Sequence, residues 1–402
     1  MFRRSCHSVS SAAAVLLESP RSDRLALLGS VDKRERLSQV PHCVILSQVP
    51  PPVHGSTVIT RRLIELLTER GWNVQLVDRR FSSEVADVGK LTVSKLSSIP
   101  GLLVRAGRAF RGSRDPIIYF VTNRPGSFLI DWLVLRLCGR RRRMIAYIHT
   151  VGFVSLAERG SWWANRVREV LSRFDDVVVL GPSLIRDIEK WVSPEKITVI
   201  KNPARSPAKG DSIRRGGPLR LLYLSNLLEE KGVFDFIELA TRLAGHGTQF
   251  RIAGHPGPAD VMARLDDLLS RVDPEELAYV GPVDEGGRDD LFVWADALIF
   301  PSRYAYEAQP LVLIEAFAAG VPVIAYDVGG VSDLVEDEKT GVLISFGDID
   351  GMVEAVSTVS GDSLSQLARG ARRAYETDHS EAVYISRWTD LLNRGSQDEW
   401  SS

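Results

Sequence analysis

Cysteine is scarce in this sequence of 402 residues, and long apolar runs are missing. Cys6, Cys43 and Cys138 show no C-x-x-C spacing, which argues against a zinc site and suits a reducing compartment. No apolar run reaches 18 residues, so no membrane-spanning helix is expected. Repeats and heptads are also absent, which leaves an ordinary globular composition and a length that suits two domains of about 150–200 residues each.

Net charge is also nearly absent, at −1, but this balance hides a strong asymmetry. Residues 1–205 carry 33 Lys and Arg against 18 Asp and Glu, a net charge of +15. Residues 206–402 carry 17 against 33, a net charge of −16. The opposite net charges of the two halves indicate two domains and predict an anionic partner for the first.

Two arginine-rich segments concentrate the positive charge of the first half. Residues 96–114 combine leucines with four arginines, and residues 140–143 are all arginine. A basic amphipathic helix at 96–114 could lie on an anionic membrane, although an ordinary helix that packs its leucines inward fits the same pattern. A membrane-bound or phosphate-bearing acceptor would use these charges. A nucleic-acid partner is not expected, because no interleaved aromatics or binding motif accompany them.

The chain divides into four parts by composition. Residues 1–38 are interpreted as a disordered extension, with a secretory signal as the alternative. The parts that follow are a first domain at 39–205, a Gly- and Pro-rich linker around 204–218 that opens a second domain at 206–379, and a last helix at 380–395.

Short apolar runs predict a succession of β-strands joined by helices. The first half opens with a strand, turn, helix and strand, which is the start of a βαβ unit. The predicted strands are at 43–47, 73–78, 117–122, 144–148, 176–180, 196–201, 219–224, 250–253, 278–283, 297–300 and 321–326. His149 directly follows one of them, where parallel sheets bind ligands.

The stretch 300–330 organises the second half. It predicts a buried strand, a loop, a helix that begins near Pro310 and ends at Gly320, and another strand. Glu307 lies in the loop, beside a helix N-terminus that favours anions. Glu315 lies inside a helix that is otherwise apolar, so its carboxylate needs a partner, for which a pair of ligand hydroxyls would serve. The alternative is that both glutamates are simply solvated.

The wider string resembles the donor-binding signature of the retaining nucleotide-sugar glycosyltransferases of family 4, which have the GT-B fold. The matching residues are Glu307, Glu315-Ala316, Ala319-Gly320, Pro322-Val323-Ile324-Ala325, Gly329-Gly330 and Thr340-Gly341-Val342-Leu343. The resemblance implies an α/β chain with two Rossmann-like domains that face each other across a cleft, and a last helix at 380–395 that crosses back to the first domain. The acceptor would bind to the first domain and the donor to the second.

The resemblance also assigns roles by position. Glu315 would bind the ribose hydroxyls and Glu307 the transferred sugar. Lys231 would bind the donor diphosphate, together with Asn226, which stands where the family has arginine. The remaining donor-binding positions are Gly55 near the phosphates, His149 near the sugar, Val283 in the loop that holds the base, and Pro310 and Leu311 at the helix N-terminus. His149, Lys231 and Glu307 are the expected catalytic residues.

The resemblance implies a retaining hexosyltransferase that uses a UDP- or GDP-sugar and needs no metal or other cofactor. The acceptor would be a glycan or a lipid-linked saccharide of a cell-surface polysaccharide or glycolipid. The enzyme would be cytoplasmic, with peripheral contact to the inner face of the membrane as a further expectation. Asp348-Ile349-Asp350 matches a metal motif of another fold and is interpreted as chance. The alternatives are a GT-B epimerase or phosphorylase, and a non-catalytic subunit that binds a sugar nucleotide.

Overall fold

The computed structural model describes residues 40–51, 54–79, 93–112, 115–137, 143–207, 217–359 and 361–397. The described residues from Pro41 onward belong to one compact unit. The extension predicted at 1–38, the centre of the predicted linker and most of the arginine run at 140–143 lie outside the described residues. Among the described residues, no helix is both long and apolar enough to cross a bilayer.

The first half is built on a six-stranded parallel sheet in the order β2-β1-β3-β4-β5-β6. Its central strands are apolar on both faces, as expected for a parallel sheet covered by helices. The strands are β1 (His42–Ser47), β2 (Asn73–Asp78), β3 (Ile117–Val121), β4 (Met144–Ile148), β5 (Asp176–Val179) and β6 (Ile197–Val199). The accompanying helices are α1 (Gly55–Glu69), α2 (Val93–Gly112), α3 (Pro125–Leu137), α4 (Phe153–Ala157), α5 (Ser161–Leu171) and α6 (Pro182–Ile188).

The second half repeats this architecture with strand order β12-β11-β10-β7-β8-β9. The central pair is β7 and β10, which align Leu221 with Ala297 and Leu222 with Leu298. The strands are β7 (Leu219–Leu224), β8 (Thr248–Ala253), β9 (Leu277–Tyr279), β10 (Ala297–Phe300), β11 (Val323–Tyr326) and β12 (Gly341–Ile344). The helices are α7 (Val233–Arg242), α8 (Ala259–Leu269), α9 (Glu285–Trp294), α10 (Leu311–Ala318), α11 (Ile349–Thr358) and α12 (Gly361–Ala374).

The last helix, α13 (Glu381–Gln397), joins the core of the first half. Tyr384, Trp388 and Leu391 are fully buried there. The chain passes between the halves twice, and the two passages run side by side through a parallel bridge between Ala204 and Ser380. The two sheets of doubly wound α/β type confirm the predicted GT-B fold class.

The arginine-rich helix predicted at 96–114 is α2, and its described side chains follow the inward-packing alternative. Leu102 and Phe110 lie in the core of the first half, whereas Val104, Arg105 and Arg108 are exposed. Attraction of this helix to a membrane stays a prediction. Arg143, the last arginine of the run at 140–143, is already used inside the fold.

Arg143 donates from Nε to Asp176 at 2.9 Å and from Nη1 to the carbonyls of Leu391 and Leu392.

Asp348 of the D-x-D sequence is the N-cap of α11, where its carboxylate accepts a hydrogen bond from the Gly351 amide at 2.9 Å. A capping role accounts for this aspartate without a metal ion.

Candidate functional site

The candidate site lies where the sheet of the second half reverses its strand order, between β7 and β10. Open α/β sheets bind ligands outside the carboxyl ends of strands at such a switch point. The loop after β7 supplies Lys231 and the loop after β10 supplies Glu307. These two residues form an ion pair, with 2.5 Å between Lys231 Nζ and Glu307 Oε1.

Glu307 is held in place by its neighbours. Ser302 Oγ donates to Glu307 Oε1 at 3.0 Å, and the glutamate side chain is only 10% exposed. The Lys231 ammonium also lies over the ring of Tyr304, 4.5 Å from its centroid. The pair is therefore a fixed, partly desolvated arrangement rather than two solvated side chains.

Two glycines allow the loops to approach so closely. Gly232 has φ +80°, and a Cβ there would lie 1.9 Å from the carbonyl oxygen of Pro301. Gly329 has φ +58°, and a Cβ there would lie 2.3 Å from the carbonyl oxygen of Glu307. Only glycine adopts such angles readily. These glycines position Lys231 and Glu307, a role that the motif match does not reveal.

Helix α10 begins beside this pair and close to the first half of the chain. Pro310 is the N-cap of α10. It therefore lies one position before the first helical turn, in which the sequence predicts it. A Cβ on Gly55, the first residue of α1, would lie 4.0 Å from Leu311 Cδ1. The N-termini of α1 and α10 therefore meet at one place, where helix dipoles and free amide groups favour a phosphate.

Glu315 has a protein partner that the sequence does not predict. Arg288 of α9 donates from Nη1 to Glu315 Oε1 at 2.8 Å. Burial raises the pKa of the Glu315 carboxyl, and the charges of Arg288 and Arg205 lower it in part. A ligand hydroxyl pair is thus not needed to account for the buried carboxylate, although 27% of the Glu315 side chain stays accessible.

Asn226 and Val283 lie in the loops that follow β7 and β9. Asn226 is exposed in a loop whose next residue, Leu227, donates its amide to the His255 carbonyl at 3.0 Å. Val283 is half-buried directly before Asp284, the N-cap of α9. Arg288 belongs to the same helix, so the predicted base-binding loop leads directly into the element that carries the partner of Glu315.

His149 lies at the carboxyl end of β4 and stacks on the ring of Phe120, with the ring centroids 4.9 Å apart. Burial, together with the nearby His54, lowers the pKa of His149 to about 3. Its Nε2 has no hydrogen-bond partner among the described residues. The imidazole is therefore neutral near pH 7, and its role toward a sugar stays a prediction.

The loop of Glu307 also contacts the first half. Arg124, which follows β3, donates from Nη2 to the Tyr304 hydroxyl at 2.6 Å. Gln309 accepts from the Asn202 amide at 2.5 Å and donates to the Leu180 carbonyl at 3.3 Å. These contacts join sequence positions 107 to 180 residues apart, which is why no local pattern predicts them.

A third contact joins the halves near this loop. Asp333 accepts hydrogen bonds from the backbone amide and the hydroxyl of Ser183, at 2.7 and 2.5 Å. Ser183 lies in the first turn of α6, whose N-cap Gly181 has no side chain to offer. Asp333 therefore caps a helix of the other half of the chain.

Comparisons with known proteins agree with this architecture. Residues 53–205 match the family "Glycosyltransferase Family 4", and residues 206–377 match "Glycosyl transferases group 1". Glycogen synthase of Mycobacterium tuberculosis is 33% identical over 213 residues, which cover 51% of this chain and 50% of that protein. The matched part is thus only about half of the length of this relative.

Two solved structures share the fold over most of the chain. Sucrose-phosphate synthase of Thermosynechococcus elongatus is 20% identical with a TM-score of 0.68, over 90% of this chain and all of that one. HepE of Anabaena, solved in complex with UDP, is 17% identical with a TM-score of 0.69, over 88% of this chain and all of that one. The two family matches, which together run from residue 53 to residue 377, show that the chain belongs to the family 4 glycosyltransferases, and the solved structures share its GT-B fold.

Proposed function

We propose that this protein is a retaining glycosyltransferase that moves a hexose from a UDP- or GDP-sugar to a glycan or lipid-linked acceptor. The observation that carries the proposal is the Lys231–Glu307 pair at the switch point, beside the N-terminus of α10. A cell-surface polysaccharide or glycolipid is the product class that we favour. Glycogen synthase, a similar protein, and the UDP complex of HepE support a saccharide product and a UDP-linked donor.

The leaving diphosphate needs positive charge, and the site supplies it without an arginine at position 226. Lys231 and the amides at the start of α10 would stabilise the departing phosphate, with Asn226 adding an uncharged hydrogen bond. Glu315 would bind the ribose hydroxyls through the part of its carboxylate that Arg288 leaves accessible. Val283 would border the base, and Gly55 would let α1 approach the phosphates.

Glu307 fits the role of an anchor for the hydroxyls of the transferred sugar. Its Oε1 is already engaged by Lys231 and Ser302, which suits a positioned acceptor of hydrogen bonds better than an attacking nucleophile. Retention would then follow from attack on the same face of the sugar, with the leaving phosphate taking the proton of the acceptor hydroxyl. No metal ion enters this scheme, and its dispensability is part of the proposal.

A thermal-shift panel with UDP, GDP and ADP tests the donor site. At a hundred times its dissociation constant, the correct nucleotide should stabilise the protein by about 2.7 kcal/mol. Glu315→Ala should lose most of this stabilisation. The exposed Glu354 on α11 provides the control variant Glu354→Ala, which should keep it. Stabilisation by none of the nucleotides would contradict the proposal.

Turnover separates a transferase from a subunit that only binds a sugar nucleotide. Lys231→Ala should lower kcat by about 10²–10³-fold, because it removes the charge that stabilises the leaving group. The anomeric configuration of the product, measured by NMR spectroscopy, should match that of the donor. Nucleotide binding without hydrolysis or transfer would favour the non-catalytic alternative, which the asparagine at position 226 keeps open.

The location that we propose is cytoplasmic, with the basic first half against an anionic membrane surface. Val104, Arg105 and Arg108 are exposed on α2 and would face the lipid. Binding of this kind weakens with salt because exposed charges are screened. Co-sedimentation with anionic vesicles at low salt, lost at high salt and absent with neutral vesicles, is the expected result.

A further inference from the structure

Arg124 lies at the edge of the first sheet that meets the second half. It lies between β3 and Pro125, the first residue of α3. The preceding Asn123 is buried and exchanges hydrogen bonds with Thr150, at 2.8 Å to its carbonyl and 3.1 Å from its hydroxyl. These bonds tie the Arg124 backbone to the loop that follows His149.

The charge of Arg124 is not compensated within the part of the chain that the structure describes. Several other arginines of the two halves do have a carboxylate partner. Arg79 pairs with Asp131 at 2.7 Å, Arg288 with Glu315 at 2.8 Å and Arg303 with Asp235 at 2.8 Å. Arg124 is exposed and instead donates to the Tyr304 hydroxyl, an uncharged acceptor.

Arg124 also lies close to the place of the proposed chemistry. The same Tyr304 ring carries the Lys231 ammonium 4.5 Å from its centroid. The guanidinium lies 5.9 Å from the centroid of Tyr306, whose surface is 48% exposed and which directly precedes Glu307. Aromatic rings with a few polar groups commonly line ligand sites, and arginine binds carboxylates and phosphates through paired N–H donors.

We propose that Arg124 and Tyr306 form an acceptor subsite for a saccharide that carries a carboxylate or a phosphate. The guanidinium would bind the anionic group through two parallel N–H donors, and the Tyr306 ring would contact the sugar. Tyr304 is a positioning residue, because its hydroxyl orients Arg124 while its ring lies below Lys231. This inference rests on the proposed transferase function and adds the chemical class of the acceptor.

The test compares three sugars that share the same ring but differ in charge: glucose, glucuronate and glucose 6-phosphate. Binding is measured by thermal shift in the presence of saturating UDP or whichever nucleotide stabilises the protein. We expect at least one anionic sugar to bind about tenfold more tightly than glucose, because hydrogen bonds between charged groups are about twice as strong as neutral ones. The two anionic sugars distinguish a carboxylate from a phosphate.

Arg124→Gln should reduce this preference to about twofold or less without changing the shift caused by the nucleotide. Arg124→Lys should keep part of it, because lysine retains the charge but not the planar fork. Tyr304→Phe should weaken it less than Arg124→Gln does. Arg168→Gln, at an exposed arginine of α5, should leave it unchanged.

Three results would overturn the inference. One is equal binding of the three sugars, including no binding of any. Another is a preference that survives in Arg124→Gln. The third is loss of the nucleotide shift in Arg124→Gln, which would assign this arginine to the donor diphosphate. If no nucleotide stabilises the unmodified protein, the proposed transferase function itself fails, and that result is separate from these three.

Discussion

At the scale of single residues, the contacts of the charged groups decide what the site can do. Glu307 and Lys231 were expected in one place, and the structure joins them directly. The sequence does not predict the contacts of Arg288 and Arg124, because their partners lie 27 and 180 residues away along the chain. Motifs record residues that are close in sequence, whereas the partners that tune them come from other elements.

We expect Arg288→Gln to destabilise the protein more at pH 8 than at pH 5. The Glu315 carboxyl has a pKa raised above 4.5 by burial, and Arg288 opposes that rise. Without the arginine the pKa rises further, so keeping the carboxylate ionised costs more. This extra cost is present above the raised pKa and disappears as the pH falls through it. Urea denaturation should show a loss of about 1 kcal/mol at pH 8, because the exposed guanidinium is partly screened.

The double variant Arg288→Gln/Glu315→Gln is the control for this pH dependence. With no ionisable group at position 315, it should recover most of the stability at pH 8, and its stability difference from Glu315→Gln alone should be the same at both pH values. An equal loss in Arg288→Gln at pH 5 and pH 8 would show that the guanidinium acts through packing alone.

At the scale of elements, apolar runs predict most strands well, because strands buried on both faces need them. The boundaries are less predictable where backbone geometry decides. Pro310 lies outside α10 with ψ 123°, and β9 ends at Tyr279 although apolar residues continue to Val283. Helix α2 shows the limit of composition, since an arginine-rich segment still buries Leu102 and Phe110 in an ordinary core.

The turn that carries Lys231 should tolerate no side chain at position 232. Gly232→Ala places a methyl group 1.9 Å from the Pro301 carbonyl oxygen and also strains φ. Gly71, with φ +83° and nothing within 4 Å of its Cβ position, is a matched control. Gly71→Ala should cost about 1–2 kcal/mol for the left-handed backbone. Gly232→Ala should cost about 1–3 kcal/mol more because of the clash.

Chemical denaturation measures the loss of stability in each alanine variant. The thermal shift caused by nucleotide reports whether Lys231 keeps its position. The Gly71→Ala variant should bind nucleotide normally. Equal destabilisation of the two variants would mean that the Pro301 carbonyl moves aside at no cost, and that the loop is not held as tightly as its geometry indicates.

At the scale of the whole molecule, the two halves are joined by side chains as well as by the chain itself. The charge asymmetry of the sequence indicates two parts but contains no information about Asp333 and Ser183, which lie 150 residues apart. Asp333 caps α6 from the other half of the chain. A change in the relative position of the halves would therefore also change the stability of the start of α6.

Asp333→Ala should destabilise the start of α6 by about 1 kcal/mol, the typical loss for an N-cap. Hydrogen exchange of the Ser183 and Leu184 amides should then become about fivefold faster. Ser183→Ala removes only the hydroxyl contact and should have a smaller effect. If the exchange rates in Asp333→Ala stay unchanged, the start of α6 does not depend on the other half.

The return of α13 to the first sheet also determines when each half can be completed during synthesis. Trp388 and Tyr384 fill the core of the first half, yet the ribosome makes them after the whole second half. About 190 residues separate Arg205 from Leu392, which corresponds to roughly 10–40 seconds of translation at ordinary rates. Throughout that time the first half exposes the surface that Trp388 later covers. The nascent chain therefore offers chaperones a defined binding surface, and its amino-terminal half reaches its final stability only after the carboxyl-terminal half has folded.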